Sequence, residues 1–221
     1  MSHSLHRAGL SQTLQDDWVI LSIGAKGVNK DGSGPRLGRF LEIALRHRPV
    51  NWGDIRQGSC FSAAAEDLLA GVRDESVVHA VFSDKKSAAE FLDELRKADL
   101  GISVVVSGLF EGLLRAAECA CLEPHTISAS LGVHGRVDRL PPPEILDVTT
   151  MCGHGLVSPN LVRDVVRRIR LGGLTAEEAG RRLARPCVCG IFNPVRAARR
   201  LEMLAGRNQD ADEGPRGAFS R

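Results

Sequence analysis

Val77-Val78-His79-Ala80-Val81-Phe82, then the stretch Asp84 to Ala98, then Ile102-Ser103-Val104-Val105-Val106, reads as strand, helix, strand. The first and last runs are rich in β-branched residues, and between them Ala88, Phe91, Leu92 and Leu95 recur at the helical period. A helix of this length between two strands is a crossover, and crossovers are what parallel strands need. Working outward, Trp18 to Ile23 is a further buried strand, followed by the loop Gly24 to Gly34 and by a helix opened by Pro35 with Leu37, Phe40, Leu41 and Leu45 on one face. A turn is expected around Pro49 to Gly53, a helix over Ser59 to Val72, and another over Leu109 to Leu122. His125 to Val133 alternates Ile127, Ala129, Leu131 and Val133 with polar residues, which predicts a fourth strand with one covered face. The expected fold is α/β: about four mostly parallel strands with flanking helices, followed by a small helical C-terminal subdomain carrying two Cys loops.

Pro141, Pro142 and Pro143 mark the boundary, since three prolines interrupt any regular element. The expected organisation is a flexible N-terminus over 1–15, an α/β domain over 16–140, a helical metal-binding subdomain over 141–207 and a disordered tail over 208–221. Within the third segment Ser158, Thr175 and Asn193 are placed to cap helices, Thr175 through a capping box with Glu178.

That segment contains one short motif twice, Cys152-Gly153-His154-Gly155-Leu156-Val157-Ser158-Pro159 and Cys187-Val188-Cys189-Gly190-Ile191-Phe192-Asn193-Pro194. Each copy gives Cys, any residue, a soft ligand, Gly, two apolar residues, a capping residue and Pro. Each therefore places two ligands in a glycine-bearing loop that runs into a capped helix start. A helix N-terminus lowers a thiol's pKa, and glycines let backbone N–H groups approach sulfur. Cys152, His154, Cys187 and Cys189 are accordingly the candidate metal ligands. Structural zinc sites usually separate their cysteines by two to four residues, whereas one residue intervenes here, so a [4Fe-4S] cluster on three thiolates is expected ahead of zinc. The fourth iron would be open, or held by His154 or Cys60. His154 is alternatively a proton donor beside it. Cys60 follows Gly58-Ser59 near a predicted helix start, where a thiol could be activated for catalysis or supply a fourth ligand, while Cys119 and Cys121, two apart in a helix, cannot easily share a metal and are expected as core side chains.

The chain of 221 residues carries a formal charge of +2, but between Met151 and Arg207 eleven arginines face four acids. That asymmetry favours an anionic ligand or partner. Lys26, Lys30 and Arg36 of the first loop, with Arg163 or Arg196, are the residues expected to hold a small anionic substrate. The leading expectation is thus an iron–sulfur enzyme of lyase, desulfidase or reductase type. The alternative is a zinc-stapled binding module whose Arg-rich helices contact nucleic acid or an acidic partner; a third reading takes the loops as metal-free turns. With 4% aromatic residues and no tyrosine, a base-stacking platform is disfavoured. No apolar run is long enough to span a bilayer and Met1 to Gln15 is polar, so a cytoplasmic protein with reduced thiols is expected.

Overall fold

The computed structural model describes residues 6–206. In chain order its elements are α1 (Ser11–Leu14), β1 (Trp18–Ile23), α2 (Gly34–Arg46), β2 (Asn51–Asp54), β3 (Gly58–Ser59), α3 (Ala65–Ala70), β4 (Val77–Phe82), α4 (Lys85–Ala98), β5 (Ser103–Ser107) and α5 (Phe110–Cys119). Four helices follow: α6 (Pro143–Thr149), α7 (Pro159–Arg170), α8 (Ala176–Ala184) and α9 (Pro194–Ala205).

The strands form one sheet in the order β3-β2-β4-β1-β5, and every neighbouring pair is antiparallel. This corrects the expected mostly parallel sheet, for an identifiable reason. The helix α2 joins β1 to β2, and α4 joins β4 to β5; each joined pair does run in one direction, as a crossover requires. In both cases another strand lies between the two partners: β4 separates β1 from β2, and β1 separates β4 from β5. The crossovers fix direction and leave adjacency open. The result is the double split βαβ topology of ferredoxin-like domains.

Alternation along the strands divides the interior into two layers. Trp18 and Ile20 of β1, with Val78, Ala80 and Phe82 of β4, share a core with α2, α4 and α5. There Phe91 packs against Phe40 at a ring separation of 5.1 Å and against Phe82 at 5.3 Å. Val19 and Val81, which pair across β1 and β4, point the other way and join a core made by α6 to α9. The C-terminal helices thus cover the second face of the sheet. Their starts follow the capping chemistry expected: Ser158 accepts from the Leu161 N–H, Asn193 from the Arg196 N–H, and Thr175 with Glu178 closes a capping box.

Three further expectations are corrected. Residues 121–140 contain no strand and are exposed throughout, Leu131 at 87%. The alternating pattern at His125 to Val133 lacks both a partner strand and a face to cover it. Where a turn and a helix were expected, Asn51 to Asp54 pairs with β4 and turns back through β3, and only Ala65–Ala70 is helical. Gly53 permits that hairpin, since a Cβ there would meet the Gly58 carbonyl oxygen at 2.2 Å. Cys119 and Cys121 are exposed at the end of α5. The expected tail over 208–221 and residues 1–5 of the expected flexible N-terminus lie outside the described residues.

Candidate metal centre

The two copies of the motif fold into the same turn. The Gly155 N–H donates to the Cys152 carbonyl at 3.0 Å and the Gly190 N–H to the Cys187 carbonyl at 2.8 Å. Both glycines are left-handed, at φ +70° and +68°, the region glycine adopts without steric cost. Each turn then enters a helix through its capping residue and proline, α7 from the first loop and α9 from the second.

The turns bring three sulfurs together. Cys187 Sγ lies 3.6 Å from Cys189 Sγ and is also hydrogen-bonded to Cys152. All three residues are at most 2% exposed. The Cys187 thiol, together with the backbone N–H groups of Leu156 and His154, outweighs burial and pulls the Cys152 thiol down to about 6. Cys187 moves the opposite way, because its hydrogen bonds to the other two sulfurs and its burial both favour the protonated form. The neighbouring thiol and two amides thus favour the thiolate form of Cys152. Among the described residues no group of three or more His, Cys, Asp or Glu side chains is spaced to hold a metal ion as it stands. A multi-iron centre would require these hydrogen-bonded sulfurs to open around it.

The sulfurs lie just beneath the surface. Gly153, His154, Gly155 and Leu156 are exposed above Cys152, and Val188 is exposed between the other two cysteines. His154 contributes a backbone N–H to Cys152, and its side chain is on the exposed rim. On the inner side a cavity of about 10 Å³, room for roughly one water, is lined by Leu21, Val77, His79 and Cys189, among others. His79 is a residue that sequence reasoning missed. It is 2% exposed on the β4 face that meets the second loop, and a Cβ on Gly190 would lie 2.3 Å from its Nε2. The missed strand β2 also anchors this loop: Asn51 Nδ2 donates to the Phe192 carbonyl at 2.9 Å.

Several expected site residues are elsewhere. Cys60 is the turn residue that follows β3; Ser59 abuts Gly190 while Cys60 packs in the α2/α4/α5 core and donates to Asn51 Oδ1 at 3.5 Å. Burial raises its thiol. It does not join the three sulfurs. Lys26 and Arg36 are exposed, and Lys30 pairs with Glu75 at 3.3 Å. The N–H groups of Gly32 and Gly34 at the start of α2, where a helix N-terminus can hold an anion, donate to the Asp74 carboxylate at 2.8 and 2.6 Å. The protein's own carboxylate fills that role, and α2 belongs to the core on the opposite side of the sheet from the cysteines.

The arginine-rich segment is likewise divided. Arg163 bonds the Asn160 side chain at 3.1 Å, and Arg167 and Arg168 pair with Asp164. Arg196 and Arg200 are buried: Arg196 bonds Asp17 at 2.8 Å and also Asp147, and Arg200 forms an ion pair with Asp147 at 2.5 Å. They are structural cations without access to a substrate. A wider cleft of about 630 Å³, walled by Phe61, Arg181, Arg199 and Glu202 among others, includes none of the cysteines in its lining. No helix of the described residues is long and apolar enough to cross a membrane. Comparison with protein-family models, with curated proteins and with solved structures gives no match to this chain.

Proposed function

We propose that Cys152, Cys187 and Cys189 hold a [4Fe-4S] cluster whose fourth iron is left without a cysteine, and that the protein is an enzyme acting there on a small anionic substrate. The single observation that carries this reading is the convergence of three, and only three, of the six cysteines from two matched turns. Thiolates are the usual ligands of such clusters, and three of them leave one coordination position for something else. When bound, the cluster would supply a Lewis-acidic or low-potential iron suited to elimination, desulfuration or reduction. The chain's own part is separable from that chemistry. The Leu156 and His154 amides stabilise negative charge on Cys152, the exposed turn 153–156 controls approach, and the His154 imidazole stands at the rim as a proton donor. On the buried side His79, in the same cavity as Cys189, is the imidazole that supports or completes the ligand set in place of Cys60.

A second reading, a single zinc ion, draws on one specific distance. Two thiolates on one tetrahedral ion with bonds of about 2.3 Å stand about 3.8 Å apart, close to the 3.6 Å between Cys187 and Cys189. Thiolates on different irons of a cluster need a wider spacing. The docking half of that reading is weakened, because Arg196 and Arg200 are consumed internally.

Anaerobic purification followed by iron, zinc and acid-labile sulfide analysis tests both. Four irons and four sulfides per chain, lost with brown colour in Cys152→Ser, Cys187→Ser and Cys189→Ser, are expected; one zinc without sulfide replaces the first reading with the second, and a metal-free protein after iron and sulfide reconstitution defeats both.

A further inference from the structure

Residues 7–9, which fall in the segment expected to be flexible, lie against the sulfur site. The Arg7 side chain is 7% exposed, and its guanidinium reaches both cysteine loops: Nη2 donates to the carbonyl of Met151, the residue before Cys152, at 3.3 Å, and to the carbonyl of Ile191, two residues after Cys189. Its other terminal nitrogen, Nη1, lies 2.5 Å from both Asp17 carboxylate oxygens. The backbone beside it is fixed at both ends of one residue. The Ala8 N–H donates to Thr150 Oγ1 at 2.8 Å, and the Ala8 carbonyl accepts from Arg196 Nη2 at 2.9 Å. A Cβ on Gly9 would meet Arg196 Nη2 at 2.5 Å and Asp147 Oδ1 at 2.6 Å, so this strap lies flat on the ion network.

That network holds three guanidinium groups, of Arg7, Arg196 and Arg200, against two carboxylates, of Asp17 and Asp147, with every side chain at most 8% exposed. One positive charge is in excess. Uncompensated buried charge is costly, and an anion close by offsets it. The loops that Arg7 touches are where an anion would form, since three thiolates on a dipositive metal core leave a net charge of about −1.

We propose that Arg7 is a positioning residue for the sulfur site, clamping the two cysteine loops at a set separation and placing the surplus positive charge beside the anionic centre. The charge part rests on the metal reading above; the clamp part does not. A planar fork suits this task, because one rigid group bonds two carbonyls and a carboxylate at once, which a lysine ammonium on a flexible stem does not reproduce.

The test uses the full chain with Cys60, Cys119 and Cys121 changed to Ser, as Arg7, Arg7→Lys and Arg7→Ala forms. In the metal-free, reduced protein, dibromobimane cross-linking is read by peptide mass for Cys152 with Cys187 or Cys189, across the loops, against Cys187 with Cys189, within one loop. The expected result is a severalfold fall in the cross-loop to within-loop ratio for Arg7→Ala, a smaller fall for Arg7→Lys, and an unchanged within-loop yield. Equal ratios in all three forms overturn the clamp. If Arg7→Ala loses its far-UV circular dichroism, Arg7→Lys decides alone: an unchanged ratio in that folded variant overturns the proposal. Metal retention is then titrated with a competing chelator, and replacing an outer-shell partner of this kind is expected to weaken it about ten- to hundredfold. Wild-type protein that takes up no metal while the cross-link ratio still falls removes the metal reading and keeps the clamp; normal retention in Arg7→Ala removes the electrostatic role.

Discussion

The two matched glycines give a prediction that depends on no metal. Gly155 and Gly190 have the same left-handed backbone, φ +70° and +68°, but different surroundings: a Cβ on Gly155 meets nothing within 4 Å, whereas on Gly190 it meets His79 Nε2 at 2.3 Å and Ser59 Cβ at 2.7 Å. Alanine in the left-handed region costs about 1–2 kcal/mol, and losing glycine's freedom in the unfolded chain returns about 0.4–1 kcal/mol. Gly155→Ala should therefore destabilise by about 1 kcal/mol. Gly190→Ala carries the same backbone penalty plus overpacking of about 1–3 kcal/mol, because the imidazole it meets is buried at 2% exposure between sheet and loop. A total of roughly 2–4 kcal/mol is expected. Urea titration of the metal-free protein measures both variants, and repeating Gly190→Ala in a His79→Ala background isolates the contact. There the excess over Gly155→Ala should shrink to the part owed to Ser59. Should Gly190→Ala exceed Gly155→Ala by less than about 0.5 kcal/mol, the ordinary scatter of such comparisons, His79 does not stand against the second loop and its place beside Cys189 is wrong.

Asp17→Asn should cost about 3–5 kcal/mol at neutral pH, because it leaves Arg7 and Arg196 buried around a neutral group. Burial alone would raise the Asp17 carboxyl, but Arg7 and Arg196 hold it below its ordinary value. Its stabilisation is therefore complete above the unfolded pKa of about 3.9 and is lost as pH falls through the lower folded value. Urea midpoints of wild type and variant should converge in acid, and a gap that persists unchanged to the lowest pH contradicts this. Thiol alkylation of the native metal-free protein should label Cys119 and Cys121 first, since both are exposed. Labelling of Cys152 should rise through pH 6 and that of Cys187 should lag well behind it, as followed by mass spectrometry; equal rates at Cys152 and Cys187 near neutrality refute the assigned hydrogen bonding.

Elements written in local pattern were legible before the structure. The strands β1 and β4, the α4 period set by Ala88, Phe91, Leu92 and Leu95, and the caps at Ser158, Thr175 and Asn193 all follow from neighbours a few residues apart. The doubled motif belongs with these, since equal sequence gave equal turns. Strand order was not legible: a crossover helix demands codirectional strands, and nothing local says that a third inserts between them. β2 escaped because Asn51-Trp52-Gly53-Asp54 is short, half polar and glycine-bearing; its backbone is a strand only because β4 and β3 flank it. Arg7 looked like any polar residue near a chain start. A usable signal did exist in Asp17, a carboxylate directly before an apolar strand, and in Arg196 and Arg200, one turn apart beside the inward Ala197, Leu201 and Leu204. Charges set among core residues imply partners, and the sum of Arg7, Arg196 and Arg200 could have been sought.

The long exposed connection over 121–140 has a consequence for how the molecule holds together. The piece before it contributes Val19, Val81, Arg7 and Asp17 to the layer of α6 to α9, and the piece after it contributes most of the apolar residues of that layer and the Arg196 that pairs with Asp17. Severing the peptide backbone anywhere in that stretch would leave two fragments, each presenting a raw apolar face and half of an ion network that the other completes. They would stay associated, and a gene split at this point would yield halves that find one another.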